Sequence, residues 1–165
     1  MSEVWKDILD YPHYQVSTQG RVYSKKTNKI LKQSKDKNGY YRLWLSNKSY
    51  HTIHRLVAIT FLKGDNKLQV DHIDGNPANN KVENLRFCTN GQNQQNRGIL
   101  KHNTTGYRGV SYCKANKKYR AFISINNKNK FLGSFKTAQE ASQAYEAKAK
   151  EIHGEFYYYK EKISP

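Results

Sequence analysis

The chain has 165 residues, of which 36% are hydrophobic and 25% charged, room for one ordinary domain or two small ones but too little apolar material for a single thick core. Lys and Arg number 29 against 13 Asp and Glu, a formal charge of +16, so a polyanion is the expected partner, nucleic acid before all others. A membrane target is excluded, since the sequence offers neither a basic amphipathic helix nor a long apolar run.

The charge is unevenly spread. Residues 11 to 35 hold six Lys or Arg and no acid, and no acid occurs between Glu83 and Glu140; a merely soluble surface would mix its signs. Cys88 and Cys113 form no C-x-x-C pair, which excludes a cysteine zinc site of the usual spacing and a disulfide framework. With no signal-peptide core in "MSEVWKDILDYPHYQ", an intracellular, cytoplasmic setting is expected.

Residues 13 to 61 read mostly as short strands. "HYQVST" and "RVYSK" alternate around the turn "QGR", and further runs at Ile30-Leu31, 40 to 45 and 50 to 53 are split by "DKNG" and "SNK". Asn38-Gly39 is a hairpin signal. "HRLVAITFL", apolar at 56, 57, 59, 61 and 62, predicts a short helix with one buried face. "LQVDHID" is a strand running into the loop "GNPANN". "ENLRFCT" is a second short strand or bend, and "NGQNQQNR" starts a helix behind a polar cap.

Residues 97 to 105 lack a pattern and read as a linker. "GYRGVSYCK", "KYRAFISINN" and "NKFLGSF" predict three strands with turns at "ANK" and "NNK". "TAQEASQAYEAKAKEIHG" predicts a helix, with Thr137 as N-cap, Glu140 as its capping-box partner and Gly154 as C-cap. Its inward stripe is Ala138, Ala141, Ala144, Tyr145, Ala149 and Ile152. The tail "EFYYYKEKISP" is left unassigned.

"VDHIDGNPANNKVENLRFCTNGQNQQNR", residues 70 to 97, carries chemistry. Hydrolysing a phosphodiester takes a base for water, a cation for the charge on phosphorus, and help for the leaving oxygen. Histidine is the natural base near neutral pH. A hard divalent cation takes carboxylate and amide oxygens, and the imidazole must be aimed through its other nitrogen. His72 sits at a strand end beside Asp71. Asn84 lies within reach on the returning segment, and Asn93, early in the helix, can face back toward Asp71. Neighbours on a strand point to opposite faces, so Asp71 and His72 serve one site only at the strand end or across its edge.

The stretch resembles the HNH motif of the ββα-metal fold, in the variety found in intron-encoded and phage homing endonucleases, where the last metal-binding position is Asn. The resemblance implies Asp71 and Asn93 as metal ligands, His72 as general base and Asn84 as the residue orienting it, with magnesium, or manganese in its place, as cofactor. "EVWKDILDYPHYQVSTQGRVYS", "KNGYYRLWLS" and "HRLVAITFL" resemble the strand-rich DNA-binding segment that precedes the motif in those enzymes. "NTTGYRGVSYCK…KYRAFISI…NKFLGSFKTAQEASQAYEAKAKEIHGEF" resembles the Apetala/ethylene-response-factor DNA-binding domain. The expected fold is α+β: N-terminal strands and a short helix over 1–62, the ββα-metal module over 63–100, and a three-stranded sheet on one helix over 101–165.

In that last segment Val110, Ala121, Ile123 and Leu132 should face the helix, leaving Arg120, Phe122, Ser124 and Phe131 outward. Arg108 falls where the family places a DNA-contacting arginine, and Phe131 where it has a DNA-facing tryptophan. Phe122 and Ser124 depart from the Glu and Arg of plant members, so the plant target does not transfer. Lys117 and Lys118 at a turn, with Arg21, Lys25 and Lys26 in the N-terminal basic run, are expected phosphate contacts. Asn79, Asn80, His51 and His54 read as structural, and Asp74 as a loop cap. The expectation is a monomer on double-stranded DNA that nicks one strand, a dimer remaining open. The competing classes are a DNA-binding regulator with an inactive HNH module and an RNA-binding protein.

Overall fold

In the N-terminal quarter, alternation becomes a four-stranded antiparallel sheet in sequential order: β1 (Trp5–Ile8), β2 (Tyr11–Ser17), β3 (Val22–Ser24) and β4 (Lys29–Ile30). β1 was not legible in the sequence because its register against β2 slips between Asp7 and Ile8, and such a bulge breaks the period of two. β5 (Ser34–Lys35), β6 (Tyr41–Leu45) and β7 (Ser49–Thr52) form a second antiparallel sheet, and α1 (Ile53–Phe61) follows directly. The computed structural model describes residues 2–46, 49–96, 99, 102–125 and 128–157. The turns expected at "SNK" and "NNK", part of the 97–105 linker, and the tail from residue 158 lie outside the described residues. The chain divides into two units, 1–94 and 95–165.

The first unit is built on one apolar cluster. Val16 and Val22 from the first sheet, Leu43 and Leu45 from the second, Ile53, Leu56 and Val57 from α1 and Leu85 are all buried together. Burying a side chain of this size contributes roughly 1.5–3 kcal/mol, so the cluster is the anchor for what stands on it. Leu85 opens β9 (Leu85–Cys88), which pairs antiparallel with β8 (Gln69–His72). Residues 63–94 are thereby seated on the same core as the N-terminal strands. From α1, Arg55 donates to the carbonyls of Leu68, at 2.5 Å, and Asn66, tying down the loop that feeds β8.

Gly20 sets a second constraint. It has φ +78°, and a Cβ there would meet the Asn80 Cβ at 2.8 Å. Only glycine allows the "QGR" turn to lie so close to the loop between β8 and β9. Val82 N–H donates to the Thr18 carbonyl at 2.9 Å beside it. α2 (Asn90–Gln95) closes the unit. Its start is held reciprocally: Gln92 N–H donates to Thr89 Oγ1 at 3.3 Å and Thr89 N–H to Gln92 Oε1 at 2.8 Å, a capping-box arrangement.

The second unit is a three-stranded antiparallel sheet, β10 (Val110–Cys113), β11 (Lys118–Ile125) and β12 (Lys128–Phe135), covered by α3 (Ala138–His153). Val110 and Ala121 pack with Ala141, while Ile123 packs with Tyr145 and Ala149. Leu132 touches both clusters. Thr137 and Glu140 form the expected capping box and Gly154 the C-cap. Ser142 and His153 are buried on α3 as well; both interrupt the small-residue stripe and so escaped an apolar pattern. Gly109, at φ +69°, is required because a Cβ there would lie 2.2 Å from Tyr145 Cδ2. Among the described residues no helix is long and apolar enough to cross a membrane.

Candidate active site

The β8–β9 hairpin sorts the candidate residues by face. Asp71 lies opposite Arg86, His72 opposite Leu85, and Gln69 opposite Cys88. Strand alternation therefore puts Gln69, Asp71 and Arg86 on one side, with His72 on the other. His72 is the last residue of β8. Here the alternation of the strand ends, and the imidazole feels the charges of Asp74 and Asp71.

His72 is only 5% exposed. The ring of His54, from α1, stands edge-on to it with centroids 5.1 Å apart, and Tyr40 completes the cluster at 5.8 Å from His72 and 5.2 Å from His54. The Oδ1 of Asn80 accepts a hydrogen bond from His72 Nε2 at 3.1 Å. That places the ring's lone pair on Nδ1, the arrangement of a base aimed through its other nitrogen. Burial pushes the His72 pKa below its ordinary value, against the Asn80 hydrogen bond and the two aspartates. The imidazole therefore favours its neutral form more than a free histidine does. Burial pushes His54 further, to about 4, with the His72 charge adding to it.

Asn84 does something other than the expected orienting of His72. It lies in the 3-10 turn Val82–Asn84 ahead of β9. Its Nδ2 donates to Asp74 Oδ1 at 2.9 Å and to the Asn79 carbonyl at 2.8 Å, while its Oδ1 accepts from Asp74 N–H at 3.0 Å. Asp74 also accepts from Asn76 N–H and Asn79 Nδ2, both at 2.8 Å. These bonds brace the loop that carries Asn80. The hydrogen bond to His72 comes from Asn80, which the sequence presents as one more turn asparagine. Its only signal is an Asn-Asn pair in a loop, and that says nothing about which side chain turns inward.

On the other face, Asp71 is 5% exposed and Arg86 holds it, Nε and Nη2 donating to Oδ2 at 3.0 and 2.8 Å. Asn93, on α2, donates its Nδ2 to Gln69 Oε1 at 2.7 Å. Gln69 shares the face of Asp71, so the helix returns Asn93 to the face where it was expected. This bond also commits the amide nitrogen, leaving Oδ1 as the atom for a cation. A carboxylate with an amide oxygen suits a hard ion such as magnesium, which keeps several waters and takes few protein ligands. The residues present fit such an ion.

The expected DNA contacts fall into two groups. Arg21 pairs with Glu3 and its guanidinium lies 5.5 Å from the Trp5 ring centroid; Lys25 pairs with Asp7 at 2.8 Å. Lys26 is exposed. Arg108 donates to the Gln95 carbonyl at 2.6 Å, a structural bond that the sequence did not suggest. Lys117, at φ +52°, and Lys118 are exposed at the β10–β11 turn. Arg120, Phe122 and Phe131 lie on the sheet face away from α3. The two phenylalanine rings are 5.2 Å apart, and Phe131 is 53% exposed. The slip between Ala121 and Phe122 pairs Phe122 with Phe131, which brings the rings together.

Two antiparallel strands, a loop clamped by asparagines and a capped helix returning an amide to the strand define a ββα module. It has an imidazole on one side and oxygen donors on the other. Comparison with known proteins agrees: residues 51–95 match the family described as HNH endonuclease, and residues 3–46 match the NUMOD4 motif. The chain belongs to the HNH endonuclease family. It is 49% identical over 105 residues to DNA endonuclease I-HmuI of Bacillus phage SP01, covering 58% of this chain and 60% of that protein. It is 36% identical over 143 residues to the uncharacterized HNH endonuclease L247 of Acanthamoeba polyphaga mimivirus, covering 80% of this chain and 36% of that one. The matched stretches thus span less than two thirds of either relative. A solved structure described as DNA binding and cleavage by the HNH homing endonuclease I-HmuI superposes with a TM-score of 0.52 at 37% identity, over 85% of this chain and 82% of that one.

Proposed function

We propose that this protein is a site-specific DNA endonuclease of the homing type, hydrolysing one phosphodiester of double-stranded DNA per site. The observation that carries the reading is the strand-end imidazole. His72 is held through Nε2 by Asn80 and stands beside Asp71 at the end of β8, where strand alternation stops separating the two faces. In this reading His72 takes the proton from the attacking water, and Asn80 keeps the accepting nitrogen aimed. Asn84 holds the loop from which Asn80 reaches in. Asp71 and Asn93 would hold a divalent cation, magnesium or manganese, which would supply positive charge against the phosphate and the leaving oxygen. The products are a 5′-phosphate and a 3′-hydroxyl.

Residues 1–62 and 101–165 then serve as DNA-binding flanks. The second resembles an Apetala/ethylene-response-factor domain in its three strands, single helix and exposed sheet face. A three-stranded sheet fits a major groove about 12 Å wide, and Phe122 and Phe131 give that face apolar rings to set against thymine methyls or sugars. With one site per chain, a monomer nicks one strand. The protein and its DNA act inside a phage-infected or bacterial cell.

Supercoiled plasmid carrying the target, incubated with magnesium, should relax to the nicked form and not in EDTA. His72→Ala should cut about 10³-fold more slowly while binding DNA as before. A protein that binds duplex DNA but never cuts it, with His72→Ala behaving identically, is a regulator with an inactive module.

A further inference from the structure

Arg86 has no place in the chemistry above, yet it sits at the heart of the hairpin. It faces Asp71 directly in the strand register and puts two N–H donors on a single carboxylate oxygen. The pair is nearly closed to solvent, with side chains 14% and 6% exposed. A carboxylate this buried needs a compensating positive charge, and here the chain supplies it from its own second strand. A divalent ion docking on the same carboxylate meets a fixed positive charge at contact range. Arginine does not deprotonate to relieve that repulsion, and in a partly buried site the repulsion is weakly screened.

We propose that Arg86 is the built-in counter-ion of Asp71 and competes with the divalent cation for its carboxylate, so that Arg86 sets how much metal the site requires. The inference rests on the reading of Asp71 as a cation ligand. Without cation the guanidinium keeps the hairpin neutral and folded. When a cation binds, the guanidinium would give up Oδ2 and the cation would take over as the positive charge facing the carboxylate. A merely structural pair would leave cation affinity indifferent to the residue at 86.

The test is manganese binding to the full chain without DNA, read by the loss of free Mn²⁺ signal in electron paramagnetic resonance. Arg86→Gln should bind Mn²⁺ about tenfold more tightly than wild type, whereas Arg86→Lys, which keeps the charge, stays within about threefold. Should Arg86→Gln not fold, magnesium titration of the wild type serves instead: the Arg86 Nε–Hε resonance should move with the midpoint of cation binding. If Asp71→Asn abolishes binding yet Arg86→Gln binds no tighter, or the Nε–Hε resonance stays fixed at saturating magnesium, the competition is refuted and Asp71 remains a ligand. If Asp71→Asn binds as wild type does, the ligand reading itself fails and the inference with it.

Discussion

The two units of the chain solve the problem of burial in different ways. Residues 1–94 enclose Ser17, Ser24, Asp71, His72, Asn80 and Asn84 beside the apolar cluster, and residues 95–165 enclose three alanines, Val110, Ile123 and Tyr145 together with Asn96, Ser142 and His153. A buried polar group is tolerated only with a partner, so the first unit carries a network: Arg86 on Asp71, Asn80 on His72, Asn84 on Asp74. The second satisfies Ser142 within one helix turn, its Oγ donating to Glu146 Oε1 at 2.7 Å, and otherwise relies on the close approach of helix and sheet that alanines and Gly109 permit. The first unit's bonds run between strands, loop and hairpin and so fix side chains far apart in sequence; the second's hold one helix against one sheet.

Acid should separate the two most widely. His54 and His72 in the first unit both titrate below the ordinary histidine value, His54 at about 4. Between about pH 6.5 and 4 the unfolded chain therefore binds more protons than the folded one. Stability is full above that window and falls as the pH falls through it. His54 alone accounts for on the order of 3 kcal/mol. Among the described residues of the second unit only His153 shifts in that direction, through burial and then Arg108. Hydrogen exchange at pH 7 and 4.5 should show protection lost mainly in residues 1–94, and equal loss in both units would erase the distinction.

Next come the two asparagines. Asn84→Ala removes three hydrogen bonds of 2.8–3.0 Å and should cost about 2–3 kcal/mol in thermal or urea unfolding. Asn80→Ala leaves the buried His72 Nε2–H without its partner and should cost about 1–2 kcal/mol, but it should also cut about 10- to 100-fold more slowly, which Asn84→Ala should not. If the rate losses come the other way round, Asn84 is the orienting residue after all.

Gly109→Ala probes the second unit in isolation. The Cβ at 2.2 Å from Tyr145, at φ +69°, should cost about 2 kcal/mol or more in that unit and weaken DNA binding, with hairpin resonances of residues 69–88 unmoved in NMR spectra. The smallest effect is expected at the sheet face. Phe122→Ala and Phe131→Ala should each weaken DNA affinity about three- to tenfold by fluorescence anisotropy, as a lost apolar contact of ~1 kcal/mol does.

What the sequence made legible follows from local rules. The capping box at Thr137 and Glu140 is written in three consecutive spacings and formed as read. Strand alternation placed Ala121 and Ile123 inside and Phe122 and Phe131 together outside. The Asp-His pair, the loop glycine and the later asparagines marked the hairpin and its helix. β1 was missed because a bulge hides its period.

By itself, then, the sequence determined the elements, the basic character and the residue types able to hydrolyse a phosphodiester, because helix caps, strand periods and charge are properties of neighbours along the chain. Only the tertiary structure decided which asparagine meets His72, that Tyr40 and His54 enclose it, and that Arg86 neutralises Asp71. Those partners come from loops and strands brought together by packing, as where Gly20 admits the Asn80 loop. A side chain's partner in space depends on the register and closure of elements far from it in sequence.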